Sequence, residues 1–199
     1  IAGITLSDNT RIDAPVVVNA AGPHSEKINQ LAGIAGSTKI TTRAMRHESV
    51  HLALPAKHDS KHDDVVTFDY DIGSYTRPDH AGSIFVGSQG TDFDQDQTVD
   101  PDDFDRNFTN DAHEPVYRLA QRIPTLGIPN QLRGIVDLWD VTEDWIPVYD
   151  CSDLPGYYLA IGTSGNQFKA APVIGALMAE LIGACETGHN HDLEPLTFL

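Results

Sequence analysis

The first clear pattern along the chain is a continuous apolar run, Ala14-Pro15-Val16-Val17-Val18-Asn19-Ala20-Ala21, closed by Gly22-Pro23. A short run of this kind predicts a strand buried on both faces, as in a parallel sheet. Ahead of it, Ile4 to Ile12 reads as the middle of a sheet, a hairpin turning at Asp8-Asn9. Behind it, Ser25 is placed to cap a short helix. Ile28, Leu31 and Ala32 would form its apolar face, with Gly33 as its stop.

From Thr41 to Gln89 the pattern changes to alternation. Val50, Leu52 and Leu54 alternate with His51 and Ala53, and Val65 to Tyr70, Ser74 to Arg77 and Ser83 to Gly87 are further short runs. This predicts an antiparallel sheet with one solvated face. Thr91 to Asp105 reads as an acidic loop. A helical pattern starts at Phe104 and Phe108, continues through Val116, Leu119, Ala120 and Ile123, and is closed by Pro124.

Gly134 to Tyr149 reads as strand, turn, strand, and Tyr157 to Ile161 as a buried strand. Phe168 to Ile182 is the last helix, uncharged between Lys169 and Glu180 and rich in alanine and glycine. A helix apolar all round predicts burial. The residues from His189 to Leu199 read as a loose tail.

Composition narrows the partners. The 199 residues are 40% hydrophobic and 21% charged, with a formal net charge of −16. Such acidity excludes nucleic acid and anionic membrane as expected partners, since both need basic surface. No uninterrupted apolar run approaches the ~20 residues of a membrane span. Cys151 and Cys185 stand in no paired motif. With no signal peptide visible, they fit a reducing, cytoplasmic location and no metal site.

Two loops carry candidate chemistry. Gly162-Thr163-Ser164-Gly165-Asn166-Gln167 follows a strand and opens a helix at Phe168. Glycines let backbone approach a ligand, and the helix start offers free N–H groups and partial positive charge. Lys169 adds a full charge in the first turn, where it opposes the helix dipole. The plainer reading is a strand–helix turn with an exposed lysine. Asn19-Ala20-Ala21-Gly22-Pro23-His24 is the second loop, at a strand end where α/β sheets bind ligands. Its plainer reading is tight strand–helix packing.

These two segments resemble the FAD-dependent amine and amino-acid oxidoreductases, the family of D-amino-acid oxidase, glycine oxidase, sarcosine oxidase and dimethylglycine dehydrogenase. The resemblance is carried by Val16 to Pro23 with Ser25, and by Leu154-Pro155-Gly156-Tyr157-Tyr158 through Gly165, Phe168, Lys169, Pro172 and Gly175. It is nearest to the sarcosine and dimethylglycine type. It implies a mixed α+β and α/β fold, with pieces of a two-dinucleotide-binding FAD domain and an antiparallel substrate domain. Residues 1–38 would belong to the FAD domain, 39–133 to the substrate domain and 134–186 to the FAD domain again, with 187–199 as the tail.

The resemblance also implies roles. Ala21, Gly22 and Pro23 would lie along the nucleotide part of FAD. Gly162, Thr163, Ser164, Gly165, Asn166, Gln167 and Phe168 would approach the flavin ring, and Lys169 the substrate carboxylate. Trp139 stands where glycine oxidase-like members carry an arginine for that carboxylate, and Asn166 where a histidine is usual. Asp137 replaces the cysteine of covalently linked members, so FAD is expected to be noncovalent. The G-x-G-x-x-G fingerprint and its ribose-binding acid are not in this sequence. The expectation is therefore the C-terminal portion of a longer enzyme, inactive alone, that oxidises a C–N bond of a small amine or N-methyl amino acid by hydride transfer. The alternatives are a non-enzymatic flavoprotein-like fragment or interaction subunit, and oxidation of a hydroxy acid instead.

Other signals carry less. Tyr75 and Arg77 alternate on a predicted strand and could line a substrate pocket or form a cross-strand surface pair. Gly162 to Asn166 resembles a nucleophile elbow, with Asn166 in place of the final glycine. Asp92, Asp94 and Asp96 have calcium-loop spacing but lack the loop's glycine and glutamate. His47 and His51 share a strand face, too far apart for one ion, and His58 and His62 read as solvated.

Overall fold

The computed structural model describes residues 1–55, 65–79, 82–89 and 97–197. His58, His62, Asp92, Asp94 and Asp96 lie outside the described residues. The chain forms two compact units, Ile1–Met45 with Trp139–Leu199, and Arg46–Leu138. Mixed α/β structure with largely antiparallel sheets is what the sequence predicts.

The first unit opens with the hairpin β1 (Gly3–Thr5) and β2 (Arg11–Asp13), which pair only with each other. Asn9 takes a left-handed φ of 65° in the turn, and Asp8 accepts a hydrogen bond from the Thr10 amide. The hairpin is thus a separate two-stranded sheet, not the middle of a larger one.

The apolar run forms β3 (Val17–Asn19). It pairs in parallel with β10 (Tyr157–Ile161), which pairs on its other side with antiparallel β9 (Val148–Cys151). β3 is therefore an edge strand, and Val18 is 41% exposed rather than buried. β10 alternates between two cores. Tyr157, Leu159 and Ile161 pack with Ile28 and Ala32 of α1 (Ser25–Ala32). Tyr158 packs with Met178 and Leu181 of α3 (Ala171–Glu186), so helices cover opposite faces of the sheet.

The structure corrects two expectations at α1. Ser25 does not cap the helix, because a 3-10 turn over Gly22–His24 runs directly into it and Ser25 is its first residue. Leu31 is 84% exposed and lies off the packed face. Gly33 ends the helix at φ 77°, where a glycine is needed.

A buried polar node ties β3 to α1. Asn19 Nδ2 donates to Asn29 Oδ1 at 2.8 Å and to the Ser25 carbonyl at 2.9 Å. Asn19 Oδ1 accepts the Ala21 amide, and the Tyr157 hydroxyl donates to Asn29 Oδ1 at 3.0 Å.

The last helix departs from expectation. Only Met178 and Leu181 of α3 are buried, and its remaining faces are largely exposed. One sheet face can cover only one stripe of a helix, and apolar composition does not bring a second neighbour. With the preceding turn it spans Phe168–Glu186, long and apolar enough by length and composition to cross a membrane, as are many core helices of globular proteins. The tail is not loose either. Leu196 packs beside the α3 core, and His189 Nε2 pairs with the Glu194 carbonyl at 2.7 Å.

The second unit is built on antiparallel strands. The five-stranded order is β5 (Thr67–Asp69), β6 (Ser74–Asp79), β7 (Ser83–Ser88), β4 (Thr42–Ala53) and β8 (Gly134–Thr142). The boundaries between the units fall inside β4 and β8. Val50, Leu52, Ile84 and Val86 line the inner face and pack on Val116 and Leu119 of α2 (Glu114–Arg122). Phe104 and Phe108 precede the helix rather than start it, since only a 3-10 turn over Asn110–His113 leads in. Phe108 instead packs against the core. Arg46 is buried, pairs with Glu48 at 2.8 Å and donates to the carbonyls of Asp105 and Asn107, fastening the segment ahead of α2.

Replacing a node residue tests its contribution. Asn19→Ala leaves Asn29 and a carbonyl short of donors and is expected to lose roughly 2–4 kcal/mol of unfolding free energy, while Tyr157→Phe loses about 1 kcal/mol. Urea unfolding of the two variants checks this, and equal losses would contradict it.

Candidate functional site

Both candidate loops lie in the first unit and leave the same edge of one sheet. β3 and β10 are adjacent and parallel, in the register Tyr157↔Val17 to Leu159↔Asn19. Their C-terminal ends therefore point the same way. β3 runs into Ala20 to Pro23 and α1, and β10 into Gly162 to Gln167 and α3. A crevice beyond the carboxyl ends of parallel strands is where open α/β sheets take ligands.

The second loop is shaped by positive φ at three residues: Gly162 at 70°, Ser164 at 48° and Gly165 at 73°. Ser164 is a non-glycine in the left-handed region, a strained state that surrounding structure must hold. The end of β8 supplies the hold. Asp140 Oδ2 accepts the Gly162 amide at 2.5 Å, and the Asp140 carbonyl accepts the Ser164 amide at 2.7 Å. The Ser164 hydroxyl donates to the Gly162 carbonyl at 3.0 Å.

Trp139 lies flat beneath Gly165, where an added Cβ would stand 2.6 Å from the indole. Trp145, itself at φ 64° in the β8–β9 turn, meets Trp139 edge-on at 6.0 Å. Thr142 fills the space that a side chain at Gly162 would need. The Thr142 hydroxyl donates to Asp144 and to the Ile146 carbonyl, which closes the same turn.

Gly162 and Ser164 thus face inward, and Gly165, Asn166, Phe168 and Lys169 face out. Phe168 is 98% exposed. Lys169 lies in the 3-10 turn ahead of α3 and donates through Nζ to the Asn166 carbonyl at 2.6 Å. The Gln167 amide group also bonds Asn166, and Tyr149 donates to Gln167 Oε1 at 3.3 Å. At the first loop, Gly22 has φ 56° and open space where a Cβ would stand.

The structure brings Ala21, Gly22, Pro23 and the 162–169 segment to one sheet edge, with Trp139 against Gly165. Tyr75 and Arg77 belong to the second unit. Tyr75 donates or accepts at Ser49 Oγ, 2.7 Å away, and stands 3.2 Å from His47 Nε2. Burial pushes the His47 imidazole down to about 4, so it is neutral at ordinary pH. Arg77 lies over the Phe85 ring at 4.9 Å. A hollow of about 580 Å³ in that unit, lined among others by His51, Ile128 and Arg133, contains none of the site residues expected from the sequence.

Ser164 is no nucleophile: it is buried and its hydroxyl is committed to the Gly162 carbonyl. Among the described residues, no cluster suited to a metal ion is found. Thr142 opens the Thr142–Asp150 stretch, which resembles the family's threonine–aspartate–proline segment beside the flavin, but no role was legible for Asp140. Its one visible signal was a polar side chain between apolar neighbours on a strand, which does not say what it bonds.

The sequence profile of the FAD dependent oxidoreductases matches residues 1–181. Comparison with curated proteins gave no match. Among solved structures, L-proline dehydrogenase from P. horikoshii has a TM-score of 0.71 at 24% identity, covering 91% of this chain and 46% of that one. Glycine oxidase from Geobacillus kaustophilus has a TM-score of 0.65 at 20% identity, covering 95% and 47%. Iminodiacetate oxidase from Chelativorans sp. BNC1 has 0.64 at 18% identity, covering 89% and 45%. At these identities the likeness is one of fold, and the chain spans less than half the length of each of these neighbours. With the profile matching nearly its whole length, the chain belongs to the DAO family of FAD-dependent oxidoreductases.

Proposed function

We propose that this chain forms part of an FAD-dependent oxidoreductase that oxidises a C–N bond of a small amine or N-methyl amino acid. The observation that carries this reading is the pair of glycine loops at the carboxyl ends of the adjacent parallel strands β3 and β10. The residues fit a flavin. Gly22 leaves open space at the first loop, and the second has Gly165 close against the Trp139 indole and Phe168 exposed. The structural neighbours include an L-proline dehydrogenase, a glycine oxidase and an iminodiacetate oxidase, which supports an amine or amino-acid substrate.

When bound, FAD would supply the two-electron oxidant, taking up the hydride that oxidation of the C–N bond releases. The chain's own residues then bind and orient. Ala21, Gly22 and Pro23 would line the nucleotide end noncovalently, and Gly162 to Phe168 the ring end. The start of the α3 segment favours negative charge beside the ring. Lys169 is exposed and would meet a substrate carboxylate, and Trp139, close against Gly165, would supply an apolar wall. In the second unit Tyr75 and Arg77 are candidates for substrate contact. The nucleotide fingerprint would come from further chain, of the kind that makes the neighbours twice as long, and the exposed apolar face of α3 suits such packing.

A visible spectrum of the full-length protein tests the reading: bound-flavin absorbance is expected, and no absorbance with no response to added FAD would sink it. Gly165→Val forces a branched side chain into the indole at a left-handed φ and is expected to weaken FAD binding by roughly tenfold or more. Titration with FAD measures it. Lys169→Met is expected to raise KM for carboxylate-bearing amines by about 10–100-fold while flavin content holds, as for loss of a charged contact. A steady-state panel of N-methyl amino acids and 2-hydroxy acids reads that effect and the substrate class together.

A further inference from the structure

Asp140 is 2% exposed, yet only one of its carboxylate oxygens is satisfied. Oδ2 accepts the Gly162 amide, while Oδ1 is buried without a hydrogen-bond partner. The Thr163 amide and the Thr42 hydroxyl ease its charge, but neither completes a bond to Oδ1. A buried carboxylate with an unpartnered oxygen is costly when ionised and far less so when protonated.

The same residue fastens the loop twice, through Oδ2 to Gly162 and through its carbonyl to Ser164. The loop's left-handed residues span these two anchors. Asp140 is therefore both the main external support of the loop and its least satisfied neighbour.

The charged groups on the elements around it are committed elsewhere. Arg43 on β4 donates to the Thr142 carbonyl at 3.2 Å. On the β8–β9 turn, Glu143 accepts from Thr41 and Asp144 from Thr142. On the loop side, Lys169 donates to the Asn166 carbonyl. Burial dominates, and it pushes the Asp140 carboxyl up to about 6 from 3.8.

We propose that Asp140 is a positioning residue for the cofactor loop, holding Gly162 to Gly165 in the shape that meets the ligand, and that its proton decides how firmly the loop is held. The identity of that ligand rests on the flavin reading above; the hold on the loop does not. The sign follows from linkage. Opening the loop admits water to the carboxyl group, so the closed loop binds this proton more tightly than the opened loop does, although the Gly162 bond by itself favours the ionised form. The resulting stabilisation is complete below about 3.8 and is lost as pH rises through about 6.

Two readouts on the holoprotein test the proposal: hydrogen exchange at the Gly162 and Ser164 amides, corrected for its intrinsic pH dependence, and FAD affinity. In the wild type, exchange at both amides should rise severalfold from about pH 5 to about pH 8, with FAD affinity falling in parallel. Asp140→Asn keeps an acceptor for Gly162 but cannot ionise, so both readouts should be flat with pH. Asp140→Ala keeps the backbone carbonyl for Ser164 but removes the acceptor of Gly162, so it should expose the Gly162 amide at every pH and weaken FAD binding. An Asn variant that titrates like the wild type overturns the proposal, as does an Ala variant with full protection at the Gly162 amide. If the Ala variant does not fold, the wild-type and Asn profiles decide alone. A wild type that titrates at these amides yet binds no flavin retires the cofactor reading and upholds the role of Asp140.

Discussion

The parallel pairing of β3 with β10 is the constraint on which the rest of the first unit depends. Backbone hydrogen bonds in one direction bring two carboxyl ends, and so two loops, to the same sheet edge. Parallel strands cannot be joined by a hairpin, and here the connection is very long. The whole Arg46–Leu138 unit lies between them in sequence. The alternating side chains of β10 then divide α1 and α3 between the two faces. Fold and candidate site share this one pairing.

Two buried polar groups stand beside that edge, and they are handled differently. Asn19 uses both ends of its amide, joining β3, α1 and the start of the first loop. A satisfied network of this kind fixes a unique arrangement. Asp140 is only half satisfied, and the second loop depends on it. The first loop is thus held by a closed network and the second by a group that can change charge. The difference matches their proposed tasks, a static cradle at the nucleotide end and a responsive surface at the ring end.

Much of this was legible along the chain. The strands at Val17, Ser74, Ser83, Gly134 and Tyr157 follow from apolar runs and alternation, because a strand's side-chain period is local. Both glycine loops were visible for the same reason, since positive φ at Gly162 and Gly165 is a single-residue demand. The misreadings concern neighbours. Ser25 has the right chemistry for a cap, but the 3-10 turn before it removed the position. Val18 and α3 read as buried, and the number of elements packed against them made them exposed.

The sequence by itself determined the element types, the two loops and the family resemblance, because these rest on periods and residue types within a few positions. Only the tertiary structure decided that the loops share an edge, that Trp139 lies under Gly165, and that Asp140 holds the turn. Each of those facts joins residues that are distant along the chain. A hydrogen bond from Gly162 to Asp140 leaves no trace in the local pattern of either segment.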